Sequence, residues 1–346
     1  MKLNNNNCFI AYSPLHVFLI DVIIEHLKMK RVTVYLPYYI NYSFVSENIK
    51  VARYFYGGTG VGRYKKLLFF ILNFIYVRKS SFNHLYVSND ADPFVMLFEK
   101  KFSYNILNFI EEGVTAFGRI QHKKSPNVFR SNSNFLKKIF GIERNDIALS
   151  SPNISRAFVF FPSLLEDFRP DIEYIDLGNI LNNNSIYLSQ SWGVLLREFK
   201  NIDILIATSP FTENGHCANF QEVDVIESVI YNNKSKIIVL KLHYRDSVEK
   251  YNRLIAKYKN VRILPRELNG VPYQALHCQL NPELLFAFHS SILFTIPSMR
   301  ENFKRVSMLK LIDTDRSNAF YEGMVLVGNF FDDLYFYNQD GSYTRH

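Results

Sequence analysis

The sequence predicts an α/β protein made of two doubly wound halves, and three observations carry that expectation. Short apolar runs, among them Cys8 to Tyr12, Arg31 to Leu36, Ile237 to Leu240 and Leu284 to Phe288, read as strands, and the last two end in polar residues, as buried parallel strands do when they deliver side chains to a ligand at their carboxyl edge. Helical segments alternate with these runs, which is the order that covers a parallel sheet on both faces. Finally, 346 residues with 48% hydrophobic and 21% charged suffice for two cores, and the asparagine run Asn182 to Asn184 offers turn chemistry at a boundary. The expected domains are therefore 1–184 and 185–346.

Taken in order, Cys8 to Tyr12 is the first strand, and Ser13-Pro14 starts a helix through about Lys28, with serine as N-cap and proline in the first turn. Arg31 to Leu36 follows as a strand. The cluster Gly57 to Gly62 has neither the Lys-Ser/Thr of a phosphate loop nor dinucleotide GxGxxG spacing, and is expected to be a turn. Arg63 to Lys79 carries basic residues at both ends of an apolar run. It can pack as core, which is the preferred assignment, or lie at a membrane surface. Further strands are expected at His84 to Ser88, Asn105 to Ile110 and Ala157 to Phe161, with helices at Phe94 to Lys101 and Phe135 to Phe140. The second half should contain strands at Asp203 to Ala207, Lys236 to Leu242, Val261 to Leu264 and Leu285 to Phe288. Its helices are expected near Val223 to Tyr231, Val248 to Lys257 and Ser290 to Ile296, followed by a strand at Arg305 to Leu311 and an aromatic tail at Phe330 to Tyr337.

Composition narrows the partners. A net charge of +8 favours an acidic partner such as a nucleotide, a sugar acid, an anionic lipid surface or a nucleic acid. The Lys and Arg residues read as dispersed, without a nucleic-acid motif, so nucleic acid is not expected. Three distant cysteines, Cys8, Cys217 and Cys278, indicate neither a disulfide framework nor a zinc cluster, and a reducing cytoplasm fits. No signal peptide is expected at the opening, and the longest apolar run, Leu67 to Val77, is about half the ~20 residues of a span. The expected location is cytoplasmic, with peripheral association at the inner membrane.

Two strand ends carry the chemistry of a site. Lys241-Leu242-His243 closes one apolar run and His289-Ser290-Ser291 closes another, so that His243, Ser290 and Ser291 offer hydrogen bonds to the phosphate of a leaving group. Taken singly, the same residues could be a buried histidine satisfied by a carbonyl and two serines capping a helix. In the first half, Asn108-Phe-Ile-Glu111-Glu112-Gly113 places two carboxylates at a strand end, where one can act as a base or where Glu112 and Gly113 can simply form a turn. Asp90-Ala-Asp92 before Pro93 reads as helix N-terminal carboxylates and not as a metal-binding acidic pair.

Together, in order and spacing, these features resemble bacterial sialyltransferases of the lipooligosaccharide sialyltransferase and polysialyltransferase type, which share an acidic-acidic-Gly triplet, a His-Pro pair and a Ser-Ser pair. Here these are Glu111-Glu112-Gly113, His243-Tyr244 and Ser290-Ser291, and Ile10-Ala-Tyr-Ser-Pro14-Leu-His16 is similar to that group's Thr-Pro-x-Gln opening. The likeness runs from residue 8 to about 296. Tyr244 stands where proline would fix φ, His16 where glutamine is usual, and Gln274 in Gly270-Val-Pro272-Tyr-Gln274-Ala-Leu276 where a glutamate would hold the ribose. Glutamine can still accept a hydrogen bond, without charge; Glu267 or Glu283 could stand in.

The resemblance implies two Rossmann-like domains facing a cleft, the GT-B type of glycosyltransferase, with the acceptor on 1–184 and the CMP-sugar donor on 185–346. It implies an inverting displacement in which Glu111 is the base and His243 stabilises the departing CMP, and in which no metal or other cofactor is needed. Ser290, Ser291, Lys241, Gln274, Glu267 and Pro272 would hold the nucleotide, and Pro14, His16 and Glu112 the acceptor. The acceptor would be a cell-surface glycan: lipopolysaccharide, lipooligosaccharide or capsule. Two other functions stay open, a transferase of the same architecture using another CMP-activated keto acid or sugar nucleotide, and a non-catalytic module binding polyanions.

Overall fold

The computed structural model describes residues 6–40, 42, 44–57, 61–90, 92–111, 149, 151–166, 169–189, 194–200, 202–213, 217, 221–288, 290–296, 302–312, 325, 328 and 331–345, without the side chains of 63, 184–189, 278 and 291. Two compact units part between Asn184 and Ser185.

The first unit runs β1 (Asn7–Ile10), α1 (Pro14–His26), β2 (Val32–Pro37), β3 (Ile49–Tyr54), α2 (Arg63–Tyr76), β4 (Ser80–Val87), α3 (Pro93–Lys101), β5 (Phe102–Ile110), β6 (Ile154–Val159), β7 (Glu173–Asp176) and α4 (Leu177–Ser189). Its sheet has the order β3-β2-β1-β4-β5-β6-β7, with every pairing parallel. The second runs β8 (Ile204–Ala207), α5 (Gln221–Asn232), β9 (Ile238–Lys241), α6 (Asn252–Lys257), β10 (Val261–Ile263), α7 (Tyr273–Leu280), β11 (Leu284–Ala287), β12 (Lys304–Ser307), β13 (Leu334–Tyr337) and β14 (Tyr343–Arg345). Its order, β10-β9-β8-β11-β12-β13-β14, repeats the first, except that β14 is antiparallel. In each unit the chain starts in the middle of the sheet, winds one way for three strands, then returns to the other side of the first. The reversal lies between β1 and β4, and between β8 and β11, and in such sheets ligands bind at the carboxyl ends of the strands flanking it.

Local chemistry explains most boundaries. Ser13 caps α1 by accepting the His16 N–H at 3.2 Å with Pro14 in the first turn. Asp92 caps α3 by accepting from Phe94 N (2.8 Å) and Val95 N (3.4 Å), the helix-terminal role expected of it. Asp90 does something else: it accepts Leu149 N at 2.9 Å and Ser151 N at 2.7 Å, and the Arg169 guanidinium donates to the carbonyls of the same two residues at 2.8 and 3.2 Å. Leu149 is buried with φ of +60°, a left-handed conformation that disfavours branched side chains, and this staple holds it there.

Several expectations are corrected. Asn182 to Asn184 is not a turn, because α4 passes straight through it. Arg63 to Lys79 is a helix as far as Tyr76 but is only half core, since Leu68, Ile71, Phe74 and Ile75 are exposed. Ser290 to Ile296 makes no α-helix, only a single 3₁₀ turn at Ser291–Leu293. The strand expected over Arg305 to Leu311 stops at Ser307, whose hydroxyl donates to Phe288 O at 2.8 Å and accepts Leu309 N at 3.3 Å, turning the chain. β3, β7 and β14 are additional strands; β3 and β14 form sheet edges, where the apolar pattern is interrupted by exposed polar residues. Phe135 to Phe140 lies outside the described residues, as do residues 58–60 of the glycine cluster.

Candidate functional site

At the carboxyl edge of the second sheet, Ala207 pairs with both Lys241 and Ala287, so β8 stands between the strands that end in His243 and Ser290. The two strand ends are therefore not neighbours; the end of β8 fills the space between them with Thr208 and Ser209, both buried. Thr208 organises the edge. Its Oγ1 accepts the His243 N–H at 2.9 Å and donates to the Asp246 carboxylate, whose Oδ2 also lies 3.4 Å from His243 N. The His243 Nδ1 accepts the Arg245 N–H at 3.2 Å, which fixes a tautomer whose proton is on Nε2. The Tyr244 ring lies 4.3 Å from that imidazole, tilted by 34°. Behind it, Lys250 Nζ contacts Asp246 (3.3 Å), Glu222 (2.5 Å) and Glu213 (3.0 Å), an ion cluster that anchors the His243 turn from below.

Other donor-side candidates join this edge unequally. Lys241 is buried with its Nζ 3.5 Å from Asn269 O, and burial pushes its ammonium down to about 8. Ser290 Oγ accepts the Ile292 N–H at 3.4 Å, while the side chain of Ser291 lies outside the described residues. Gln274, in the first turn of α7, donates to Thr295 Oγ1 at 2.6 Å, which ties that helix to the segment following Ser290. Pro272 is the buried residue before α7. Glu267 is exposed on a 3₁₀ turn, apart from these hydrogen bonds.

The first unit's edge has the opposite character. Glu111 follows β5 directly and is 1% exposed; its N–H donates to Phe158 O at 2.9 Å and its Oε2 accepts Phe160 N at 2.7 Å. Burial pushes its carboxyl up to about 8, against the Phe160 N–H, which pulls the other way. By register, Ala11 and Ser88 follow the pair Ile10 and Val87, and Ile110 follows Phe109, so the ends of β1, β4 and β5 lie side by side. Tyr12, His16, Ser88 and Glu111 therefore share one edge. Tyr12 OH, His16 Nδ1 and Ser88 Oγ are buried without a hydrogen-bond partner among the described residues, and burial pushes His16 down to about 3, so the imidazole is neutral. Tyr12 meets His16 edge-on at 4.2 Å. Each such atom left unpaired costs about 1–3 kcal/mol, so this edge has the capacity to bond polar groups of a ligand. Pro14 starts the helix carrying His16; Glu112 lies outside the described residues.

Thr208, Ser209, Asp246, Tyr12 and Ser88 were not singled out from sequence. A signal existed: Ala207-Thr-Ser-Pro210 closes β8 just as Ala11-Tyr-Ser-Pro14 closes β1. Among the described residues, no cluster of three or more His, Cys, Asp or Glu could hold a metal.

The fold recurs in solved structures. The α/β-galactoside α-2,3-sialyltransferase of Photobacterium phosphoreum matches with a TM-score of 0.53 and 16% identity over 95% of this chain and 97% of its own. The GT-B domain of the Photobacterium damselae sialyltransferase matches at 0.52 and 13% identity, over 95% and 99%. The UDP-GlcNAc 2-epimerase of Methanocaldococcus jannaschii, solved with UDP-GlcNAc and UDP, matches at 0.52 and 13% identity, over 98% and 95%. No protein-family model and no curated protein matches the chain. The shared property is the fold: two parallel α/β units of Rossmann type in one chain.

Proposed function

We propose that the protein is a glycosyltransferase and, more narrowly, an inverting sialyltransferase that moves sialic acid from CMP-sialic acid to a hydroxyl of a cell-surface glycan. One observation carries this reading: one sheet edge carries a buried carboxylate, Glu111, with Tyr12, His16 and Ser88 each keeping a polar atom without a partner among the described residues, and the other sheet's edge carries the side chains of His243, Ser290 and Lys241. In the reaction, the acceptor hydroxyl loses its proton to Glu111 as its oxygen bonds to the anomeric carbon. The bond from that carbon to the phosphate oxygen breaks, and CMP leaves with the electron pair. His243, Ser290 and Ser291 hold the phosphate, aided by Lys241, and Gln274 faces the ribose; His16, Pro14 and Glu112 contact the acceptor. A leaving monophosphate ester needs no metal under this scheme, so chelators should leave turnover unchanged.

A second reading, a UDP-sugar enzyme on the same scaffold, draws on Gln274 in place of a glutamate and on the epimerase among the fold relatives. Thermal unfolding with each nucleotide separates the two, since a ligand that binds the native state raises the midpoint. CMP should stabilise, and UMP and UDP should not. Stabilisation by UDP alone would overturn the CMP assignment, and transfer from CMP-sialic acid to a galactoside-terminated glycan would establish the reaction.

A further inference from the structure

The outward face of α2 is apolar. Tyr64, Leu68, Ile71 and Ile75, spaced 4, 3 and 4 residues apart, fall on a single helical row. They are 92%, 52%, 42% and 65% exposed. The opposite face is fixed in place: Phe70 is buried against Phe94 at 5.9 Å, Asn73 holds Phe55 N at 2.9 Å, and Lys101 Nζ donates to Val77 O at 2.8 Å and to Phe74 O, closing the helix end. The exposed row is thus a built surface on a pinned helix. An amphipathic surface helix normally turns its polar side outward, so this one requires an apolar environment.

Charge surrounds the row. The basic residues are less dispersed than a residue-by-residue reading suggests: between Asn48 and Asn89 lie seven Lys or Arg and no Asp or Glu, in a chain whose net charge is +8. At the end of α2, a cavity of about 320 Å³ is lined by Lys50, Arg53, Tyr76 and Arg78. Beside it, a second of about 610 Å³ is lined by Lys30, Arg31 and Lys50, and no carboxylate lines either. Both lie toward the amino ends of β2 and β3, away from the strand ends that carry Glu111. A second copy of the chain would set cation against cation here, and a nucleic acid would leave the aliphatic row uncovered. An anionic phospholipid bilayer satisfies both, with aliphatic side chains among acyl chains, Tyr64 and Tyr76 at the interface and phosphates in the basic cavities.

We infer that α2 and the basic edge beside it form a docking surface for anionic phospholipid, with the helix lying in the plane of the membrane. Fourteen residues span about 21 Å, less than the ~30 Å hydrocarbon core, so the helix rests on the bilayer without crossing it. This goes beyond the transferase reading and is read by binding alone, so it stands or falls independently of the donor.

The test is co-sedimentation of the full chain with phosphatidylcholine vesicles, with and without phosphatidylglycerol. Binding to the anionic vesicles only is expected, weakening as salt rises. Leu68→Ser with Ile75→Ser, and separately Lys65→Glu with Lys79→Glu, should each lower partitioning at least about tenfold, since one basic charge near such a surface is worth about fivefold. All four positions are exposed, so both doubles should keep the parent's melting midpoint; if one unfolds, the other decides. Equal binding to neutral vesicles, no binding to either, or undiminished binding by a folded double overturns the inference. So does a dimer in solution that the Leu68 and Ile75 double abolishes while vesicle binding persists.

Discussion

The two sheet edges share one topology and differ in nearly everything else. At the β1/β4 edge Tyr12, His16 and Ser88 each keep a buried polar atom without a partner among the described residues, and burial raises Glu111 to about 8 and pushes His16 down to about 3. At the β8/β11 edge Thr208, His243, Asp246 and Lys250 are wired together, and a carboxylate–ammonium cluster supports the residues that face outward. Under the proposed reaction the first edge would move a proton, through a carboxyl that ionises near working pH, and the second would hold the leaving anion. Fold supplies the location of each edge, and side-chain solvation supplies its chemistry.

The sharpest way to break this comparison is to remove the proton acceptor. Glu111→Gln should lower turnover about 10²–10⁴-fold while CMP still stabilises the protein. Full activity in that variant would make the first edge structural, and loss in Glu112→Gln alone would move the base by one residue. Next in size, His243→Ala should cost about 2–4 kcal/mol of transition-state stabilisation, read from kcat/KM. Normal turnover would remove His243 from the phosphate.

The pH profile sharpens the difference. If Glu111 must be ionised to act, kcat/KM should rise with pH through about 8, and a flat profile from pH 6 to 9 would count against it. Stability runs the other way. A carboxyl whose folded value is raised stabilises the native state below its unfolded value near 4.5, and that contribution is lost as pH climbs through about 8. Glu111→Gln should therefore gain stability relative to the parent between pH 5 and 9, measured by denaturant unfolding. The smallest effect belongs to the second edge: Thr208→Val removes the closer of the two acceptors of the His243 N–H and should cost about 1–3 kcal/mol of stability. Turnover should fall less than in His243→Ala, with the nucleotide midpoint shift largely retained.

How much of this was readable beforehand follows from where each signal sits. Buried central strands such as Ile204–Ala207 and Ile238–Lys241 announce themselves as apolar runs, and Ser13-Pro14 marks a helix start chemically. Glu111 and His243 stood out because polar residues end those runs. Thr208 and Ser209 did not, since two small hydroxyl residues before Pro210 look like an ordinary turn until the strand order sets β8 between β9 and β11. Nor could Asn182 to Asn184 be known as helix, because asparagine's preference for turns is weak enough for tertiary context to override. The outward row of α2 was hidden for a related reason: a pattern apolar on all sides says core until the neighbours are known.

The staple of Asp90 and Arg169 on Leu149 and Ser151 has a consequence for how the first unit opens. Asp90 accepts two buried backbone N–H groups that lie 59 and 61 residues away in the sequence, so it ties the end of β4 to the approach to β6. Removing that carboxylate strands both donors, and the approach to β6 should then fray before the central strands do, which amide hydrogen exchange at Leu149 and Ser151 would read as early loss of protection.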